Sequence, residues 1–326
     1  MRSESLTQPT TVQVKTKPRP QGVWHEVVRQ RWAYFFIAPF FLLFGVFGAF
    51  PPLYSLYLSF HEWDILSPMK YVGLANYARV FRDELFWKGV TNGILFGMMA
   101  TVPGLSLALV IAYLLHRYTR RLRDVLLAAY FSPMVTSAVA VVVIFTMLYS
   151  STHGLINAGL QAIGLPAVRW LEEVWPLRSA LALFLIWQWL GWNVVLFLAG
   201  LQSISEELYD AARVDGANGF AIFWRITVPL LRPTLTFNVV ISTIGILQLF
   251  AEPALFTGGG QGNTATLMGG RDNAVLTVPL YLYVVGFKRF KFGYAAAASY
   301  VMFMVILVLS ALNGWLARGR SNEEDK

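Results

Sequence analysis

The sequence predicts an all-α polytopic membrane protein with about six transmembrane helices and one charged loop set between two strongly apolar segments. Three observations lead there. Only 13% of the 326 residues are charged, against 56% hydrophobic, about half the charge content of a soluble domain. The apolar runs reach the ~20 residues a helix needs to cross a bilayer. They do not alternate as a lipid-facing strand would, which excludes a barrel; in lipid, a span must satisfy its own backbone polar groups.

The segments follow in order. Residues 1–31 are polar and basic, with Pro9, Pro18 and Pro20, and read as a disordered cytoplasmic tail. The first apolar run starts too late and is too long for a signal peptide. That run, 32–60, is uncharged, and Pro51-Pro52 is expected to break or kink it near its outer end. Residues 61–88 mix charge with aromatics, as an external loop with interfacial pieces does. The second run, 89–115, carries Pro103-Gly104 as an expected kink; 116–124 is short and basic; the third run is 125–149. A mostly uncharged loop with Gly154, Gly164, Pro166 and Pro176 leads to the fourth run, 179–200. The charged stretch 203–233 precedes the fifth, 234–251. After a glycine-rich turn at Gly258-Gly259-Gly260, residues 274–287 are apolar but too short to span, and are expected as an external or interfacial helix. The sixth run is 292–316, and 318–326 is a polar tail. The organisation expected is a tail, a membrane domain over 32–317, and a second tail.

Lys and Arg set the orientation. With the N-terminus inside, the inner segments carry six, four, three and three of them in chain order, and the outer segments four, two and four. Both termini and the 203–233 loop of this multi-pass protein are then cytoplasmic. The cluster Lys288, Arg289, Lys291 falls outside, against the trend. The formal charge of +8 bears on this topology and implies no nucleic acid. There are no cysteines, and His25, His61, His116 and His153 lie far apart in sequence without metal-ligand spacing, so no metal or cofactor is expected.

The loop has its own chemistry. Ser203 and Glu206 have capping-box spacing, and Glu206, Glu207 and Asp210 suit a helix N-terminus. Leu208, Ala211, Ala212 and Val214 are the apolar members. Asp215-Gly216 signals a turn. A second helix near 218–226 presents Phe220, Phe223 and Trp224, and Pro229 and Pro233 delimit the return to the membrane. An ordinary solvated loop would carry the same charges; exposed aromatics favour a contact surface.

DAARVDGANGFAIFWRITVP resembles the EAA signature of ABC importer permeases. Asp210-Ala211-Ala212 stands at its start, Gly216 at its glycine, and Ile226 and Val228-Pro229 at its end, with Asp for Glu at Asp210 and Val for Leu at Val228. YVGLANYARVF, YFSPMVTSAVA, FLAGLQSIS and GYAAAASY are similar, in order, to the carbohydrate branch, of the maltose and glycerol-3-phosphate type and its first subunit. The likeness covers about residues 32–317; Phe145, where Trp is expected, and Trp192-Asn193 depart from it. It implies a bacterial cytoplasmic membrane, coupling helices seated in an ABC ATPase dimer, a second permease subunit, an extracytoplasmic solute-binding protein and a sugar substrate. Asp210, with Glu206 and Glu207, would face basic groups on the ATPase, Ala211 and Ala212 would allow close approach, Gly216 the turn, and Phe220, Phe223 and Trp224 would anchor in the ATPase cleft or against the protein's own inner helix ends. The chain has no GxxxxGK[ST] loop, so ATP hydrolysis would lie on the partner.

Polar groups inside spans are costly and often functional. The substrate-pathway candidates are Asn92, Gln188, Trp192, Asn193, Asn238 and Gln248. Trp187, Gln188, Trp189, Trp192 and Asn193 combine amides with ring faces as a sugar site does, although Trp also belongs at interfaces and amides also bond helix to helix. Glu252 is expected near the outer end of its span, where charge costs little. A stand-alone secondary transporter or channel would need ionisable coupling groups in the spans, and a membrane enzyme a catalytic constellation; neither pattern is present. A permease for glycerol phosphate, an amino acid or a peptide is the nearest alternative.

Overall fold

The computed structural model describes residues 30–117, 122–258 and 269–319. Contacts divide the chain into two units, 1–54 and 55–326. Helix α1 runs from Arg31 to Ser59. Pro51-Pro52 does not break it. A π-helical segment, Phe44–Ala49, lies just before the prolines, and its wider turn accommodates carbonyls that would otherwise face a ring and no N–H. Every side chain from Arg31 to Leu43 is exposed.

In the second unit, strands β1 (His61–Glu62) and β2 (Lys70–Tyr71) pair antiparallel, His61 opposite Tyr71. Helix α2 (Ala75–Phe81) follows, then α3 (Glu84–Arg117), one long span. Asp83 caps α3, accepting from the Leu85 and Phe86 amides. A π segment, Gly97–Thr101, again precedes the proline, here Pro103.

The third apolar run departs from expectation. It forms two helices, α4 (Arg123–Val135) and α5 (Ala138–Leu148), bent by 95°. Pro133 lies in the last turn of α4, and Thr136 is extended. The Thr136 and Ser132 hydroxyls donate to the carbonyls of Ser132 and Ala129, so side chains serve acceptors near the break. The loop expected after it holds a helix, α6 (Leu155–Ala162), fixed by Asn157, whose amide bonds Val168 and the Trp170 indole.

Helix α7 (Val174–Gln202) starts five residues before the expected position. Pro176 is within its first turn, where its missing N–H has no partner to lose. After α8 (Glu206–Val214), α9 (Gly219–Leu230) meets α10 (Arg232–Leu247) at 67°. The fifth span thus ends at Leu247, and α11 (Ala251–Gly258) is a separate short helix. Glu252, expected near the outer end of that span where charge costs little, stands instead in α11 and is 9% exposed. The turn expected at 258–260 lies largely outside the described residues.

Helix α12 (Val278–Lys288), the short apolar helix expected as external or interfacial, packs into the protein. Val278, Leu280, Tyr281, Val284, Val285 and Gly286 are buried. Gly89 of α3 permits the approach: a Cβ there would stand 3.0 Å from the Val278 nitrogen. Helix α13 (Phe292–Gly319) closes the chain. Among the described residues, four helices are long and apolar enough to span a membrane, or up to six if each bent pair is one span.

Two large apolar clusters hold the membrane helices of the second unit. One joins Phe86, Phe184, Leu181, Leu276, Leu280 and Ala297; the other packs Ala108 and Ala112 of α3 on Phe197 and Leu201 of α7. A buried polar network crosses the first. Arg178 donates to Ala274 O and Asn92 Oδ1, both at 3.0 Å, and Asn92 Nδ2 donates to Asn273 O and Leu276 O, both at 2.8 Å.

Candidate functional site

The loop joining α7 to α10 is two short helices sealed by a turn. Ser205, not Ser203, caps α8: its Oγ accepts from the Glu207 amide, while the Ser203 hydroxyl turns back to Gly200 O. The expected capping box does not form: α7 continues to Gln202, Ser203 ends it, and three residues after the capping Ser205 stands Leu208, which cannot close a box. At the other end Gly216 has φ +79°. The Gly216 N–H donates to Arg213 O at 3.1 Å and the Ala217 N–H to Ala212 O at 2.9 Å, the bond pair of a Schellman turn. That geometry explains the spacing: the second alanine supplies the carbonyl reached by the residue after the glycine. Asn218 then caps α9 through the Ala221 amide, at 2.8 Å.

The loop divides its candidates between two faces. Ala212 is buried with Tyr209 and Ile222, and Ile226 packs on them. Phe223 also turns inward, its ring 4.9 Å edge-on from that of Tyr113. Pro229 is half-buried. Phe220 and Trp224 are 73% and 54% exposed, and Val214 is 88% exposed. Glu206, Glu207, Asp210, Ala211, Asp215 and Gly216 are exposed with them. Asp210 pairs with Arg213 of its own helix at 2.5 Å. Phe223 thus takes the second of its two expected positions, against the protein's own helices, and Ala212 lies on the same inner surface.

Three residues that the sequence pattern does not flag fasten this loop. Tyr209 OH and Thr227 Oγ1 lie 3.4 Å apart, and Thr227 donates to Ile222 O. Tyr113 of α3 donates to Gly219 O at 3.4 Å and accepts from Arg117 at 2.8 Å. Counting Tyr209 as apolar would show a 209/212 stripe; nothing local marks Tyr113.

The pathway candidates separate as clearly. Asn92 is fully engaged in the Arg178 network. Gln248 caps α10 and is exposed. Gln188 Oε1 and Asn238 Nδ2 are buried without a hydrogen-bond partner. Trp192 and Asn193 are together: with Trp189, Thr101 and Ser242 they line a cavity of about 150 Å³ between α3, α7 and α10. Asn193 is 8% exposed.

Residues 93–322 match the family described as "Binding-protein-dependent transport system inner membrane component". The chain belongs to that family. Similar relatives include the lactose transport system permease protein LacF of Rhizobium radiobacter, 34% identical over 87% of this chain and 93% of that protein. The arabinooligosaccharides transport system permease protein AraP of Halalkalibacterium halodurans is 31% identical over 85% and 84%. The sulfoquinovosyl glycerol transport system permease protein SmoG of Agrobacterium fabrum is 30% identical over 93% and 96%. A chain from the crystal structure of a bacterial alginate ABC transporter in complex with alginate pentasaccharide-bound periplasmic protein superposes with a TM-score of 0.74, covering 91% of this permease and 97% of that chain. At 23% identity, that likeness establishes the fold. The protein is a multi-pass ABC transport permease, all-α in architecture.

Proposed function

We propose that this permease carries a sugar or oligosaccharide inward by alternating access, driven by an ABC ATPase dimer docked on the α8–α9 loop. The observation that carries the coupling assignment is the two-faced loop itself. Its inner face is bonded to α3 through Tyr113, and its outer face exposes Val214, Phe220 and Trp224 beside Glu206, Glu207 and Asp210. An exposed apolar patch with an acidic margin suits a cleft with basic groups. Both termini and the loop face the cytoplasm, residues 1–31 and 318–326 are tails, and 32–317 form the membrane domain. Nucleotide state must then favour one access state over the other through this contact.

The substrate reading rests on the sugar transporters among the relatives and on the Trp192–Asn193 cavity, where indole faces and an unengaged amide meet. That cavity is about 150 Å³, half the roughly 300 Å³ at the lower end of small-molecule sites. A second, non-identical permease subunit supplies the opposite wall, and a solute-binding protein delivers the substrate outside. The test is to purify the permease with its associated subunits and measure ATP hydrolysis stimulated by the binding protein across a sugar panel. Stimulation by one sugar, abolished by Gly216→Trp with insertion intact, is expected; wild-type transport by that variant would sink the coupling assignment.

A further inference from the structure

A second cavity, of about 390 Å³, lies between the β1–β2 hairpin, α2 and the segment joining α12 to α13. Four cations line it: Lys70, Arg79, Arg289 and Lys291. Arg79 has an acidic partner, Glu62, at 3.6 Å. Asp64 is occupied by the Leu66 and Ser67 amides and the Ser67 hydroxyl. Among the described residues, Lys70, Arg289 and Lys291 have no carboxylate within salt-bridge distance. With the carboxylates of Glu62 and Asp64 also lining it, the concave surface carries four cations against two anions, an excess of two positive charges.

The cavity is built rather than incidental. The Phe292 amide donates to Trp63 O at 3.1 Å, pinning one wall to the other. Asn76 Nδ2 donates to Ser59 O and His61 O at 2.9 Å. Both rims hold a bulky residue in the left-handed region, Ile65 at φ 71° and Phe290 at φ 55°. Such strain persists where the surroundings over-determine it, and it gathers at ligand sites. The place in the fold decides the ligand. Ser59 ends α1 and Phe292 begins α13, so the cavity stands at the ends of two candidate spans, where the headgroups of a bilayer around them would lie. Phe287 and Phe290 are exposed beside it, which is the aromatic-and-basic pattern of a membrane interface.

We infer that this cavity binds the phosphate of an anionic phospholipid headgroup. Lys70, Arg289 and Lys291 donate to its oxygens, and the exposed Phe287 and Phe290 lie against its acyl chains. The lipid supplies the counter-charge for a basic cluster that the topology places outside, against the usual distribution. A soluble phosphate or sugar acid shares the anion chemistry but has no use for the adjacent apolar collar. A protein partner would have to reach to the membrane plane.

The test uses the purified transporter in detergent, titrated with phosphatidylglycerol and, separately, phosphatidylcholine, with bound lipid counted by native mass spectrometry. The wild type is expected to take up phosphatidylglycerol saturably and in preference. Neutralising one of Lys70, Arg289 and Lys291 to Gln should weaken binding about fivefold, and all three roughly 100-fold. Lys88→Gln, outside the cavity, should change nothing. Unchanged phosphatidylglycerol uptake by the triple variant overturns the proposal. So does competition by inorganic phosphate or glucuronate as strong as that by the lipid, which makes the site one for soluble anions. Loss of binding-protein stimulation in the triple variant with lipid uptake intact also overturns it, and assigns the cations to protein docking.

Discussion

Replacing Gly216 by Ala isolates one backbone angle in the loop. Gly216 sits at φ +79°, and no atom lies within 4 Å of the position a Cβ would take. The substitution meets no neighbour, so its cost is conformational. An L-residue in that region loses about 1–2 kcal/mol. If the chain escapes the strain by opening, it breaks the Gly216–Arg213 and Ala217–Ala212 bonds and lifts Ala212 from Tyr209 and Ile222. The cluster beneath has only these three buried members, so the closed loop has little reserve. A loss of about 1.4 kcal/mol lowers the docking-competent fraction by up to tenfold, and apparent ATPase affinity by the same factor. Titrating the ATPase into permease in proteoliposomes, and reading binding-protein-stimulated hydrolysis, should show a right-shifted curve with its plateau preserved. Gly216→Asn, which tolerates the left-handed region, should lie nearer the wild type. If Asn shifts the curve as far as Ala, side-chain bulk at an interface sets the requirement and the Schellman argument fails.

Other perturbations test other parts. Arg178→Met removes two charge-assisted bonds and leaves Asn92 Oδ1 and Ala274 O without those donors, at about 3 kcal/mol; thermal unfolding in detergent should fall by several degrees, and an unchanged midpoint would remove the network from the stability argument. Asp83 accepts from the Tyr281 and Tyr294 hydroxyls and two amides. Burial raises its pKa, but these bonds together outweigh burial and hold it below the ordinary carboxylate value. Its contribution is therefore fully present above the unfolded-state pKa and disappears as pH falls through the lower folded one. Wild-type stability should drop in that acid range, and Asp83→Asn should flatten the drop; parallel curves would count against it. Asn193→Ala should raise KM for transport without reducing ATPase assembly, and Trp192→Phe should do so less; if both leave transport untouched, the cavity is not on the pathway.

Much of the architecture is legible because lipid imposes a simple grammar. Uncharged runs of sufficient length mark the spans, and the EAA-like spacing marks the loop from its residues alone. What a run cannot give is straightness. Residues 125–149 are uncharged and mostly apolar, yet the chain turns by 95° within them, because hydropathy reports the solvent and not the hydrogen-bond ladder. The useful cues are polar ones inside the run: Ser132 and Thr136, placed to serve carbonyls around Pro133. Pro51-Pro52 shows the reverse. A proline pair breaks a regular helix, but a π turn set before it redistributes the acceptors.

Charged and amide residues mislead for a related reason: sequence shows that a group is polar, not whether it is already satisfied. Asn92 and Asn193 look alike as amides within spans. Asn92 is consumed by Arg178 and two carbonyls, while Asn193 lines an open cavity. Arg178 itself counts as an outer-loop charge in the sequence, because Pro176 suggests that α7 has not begun. Moving that helix start by one turn converts a topology marker into a buried anchor. The same reasoning separates Phe223 from Phe220 and Trp224. All three share one apolar segment, but only the first meets Tyr113, more than a hundred residues earlier in the chain. Which aromatic is left exposed is fixed by that long-range contact, and the same contact ties the loop to α3.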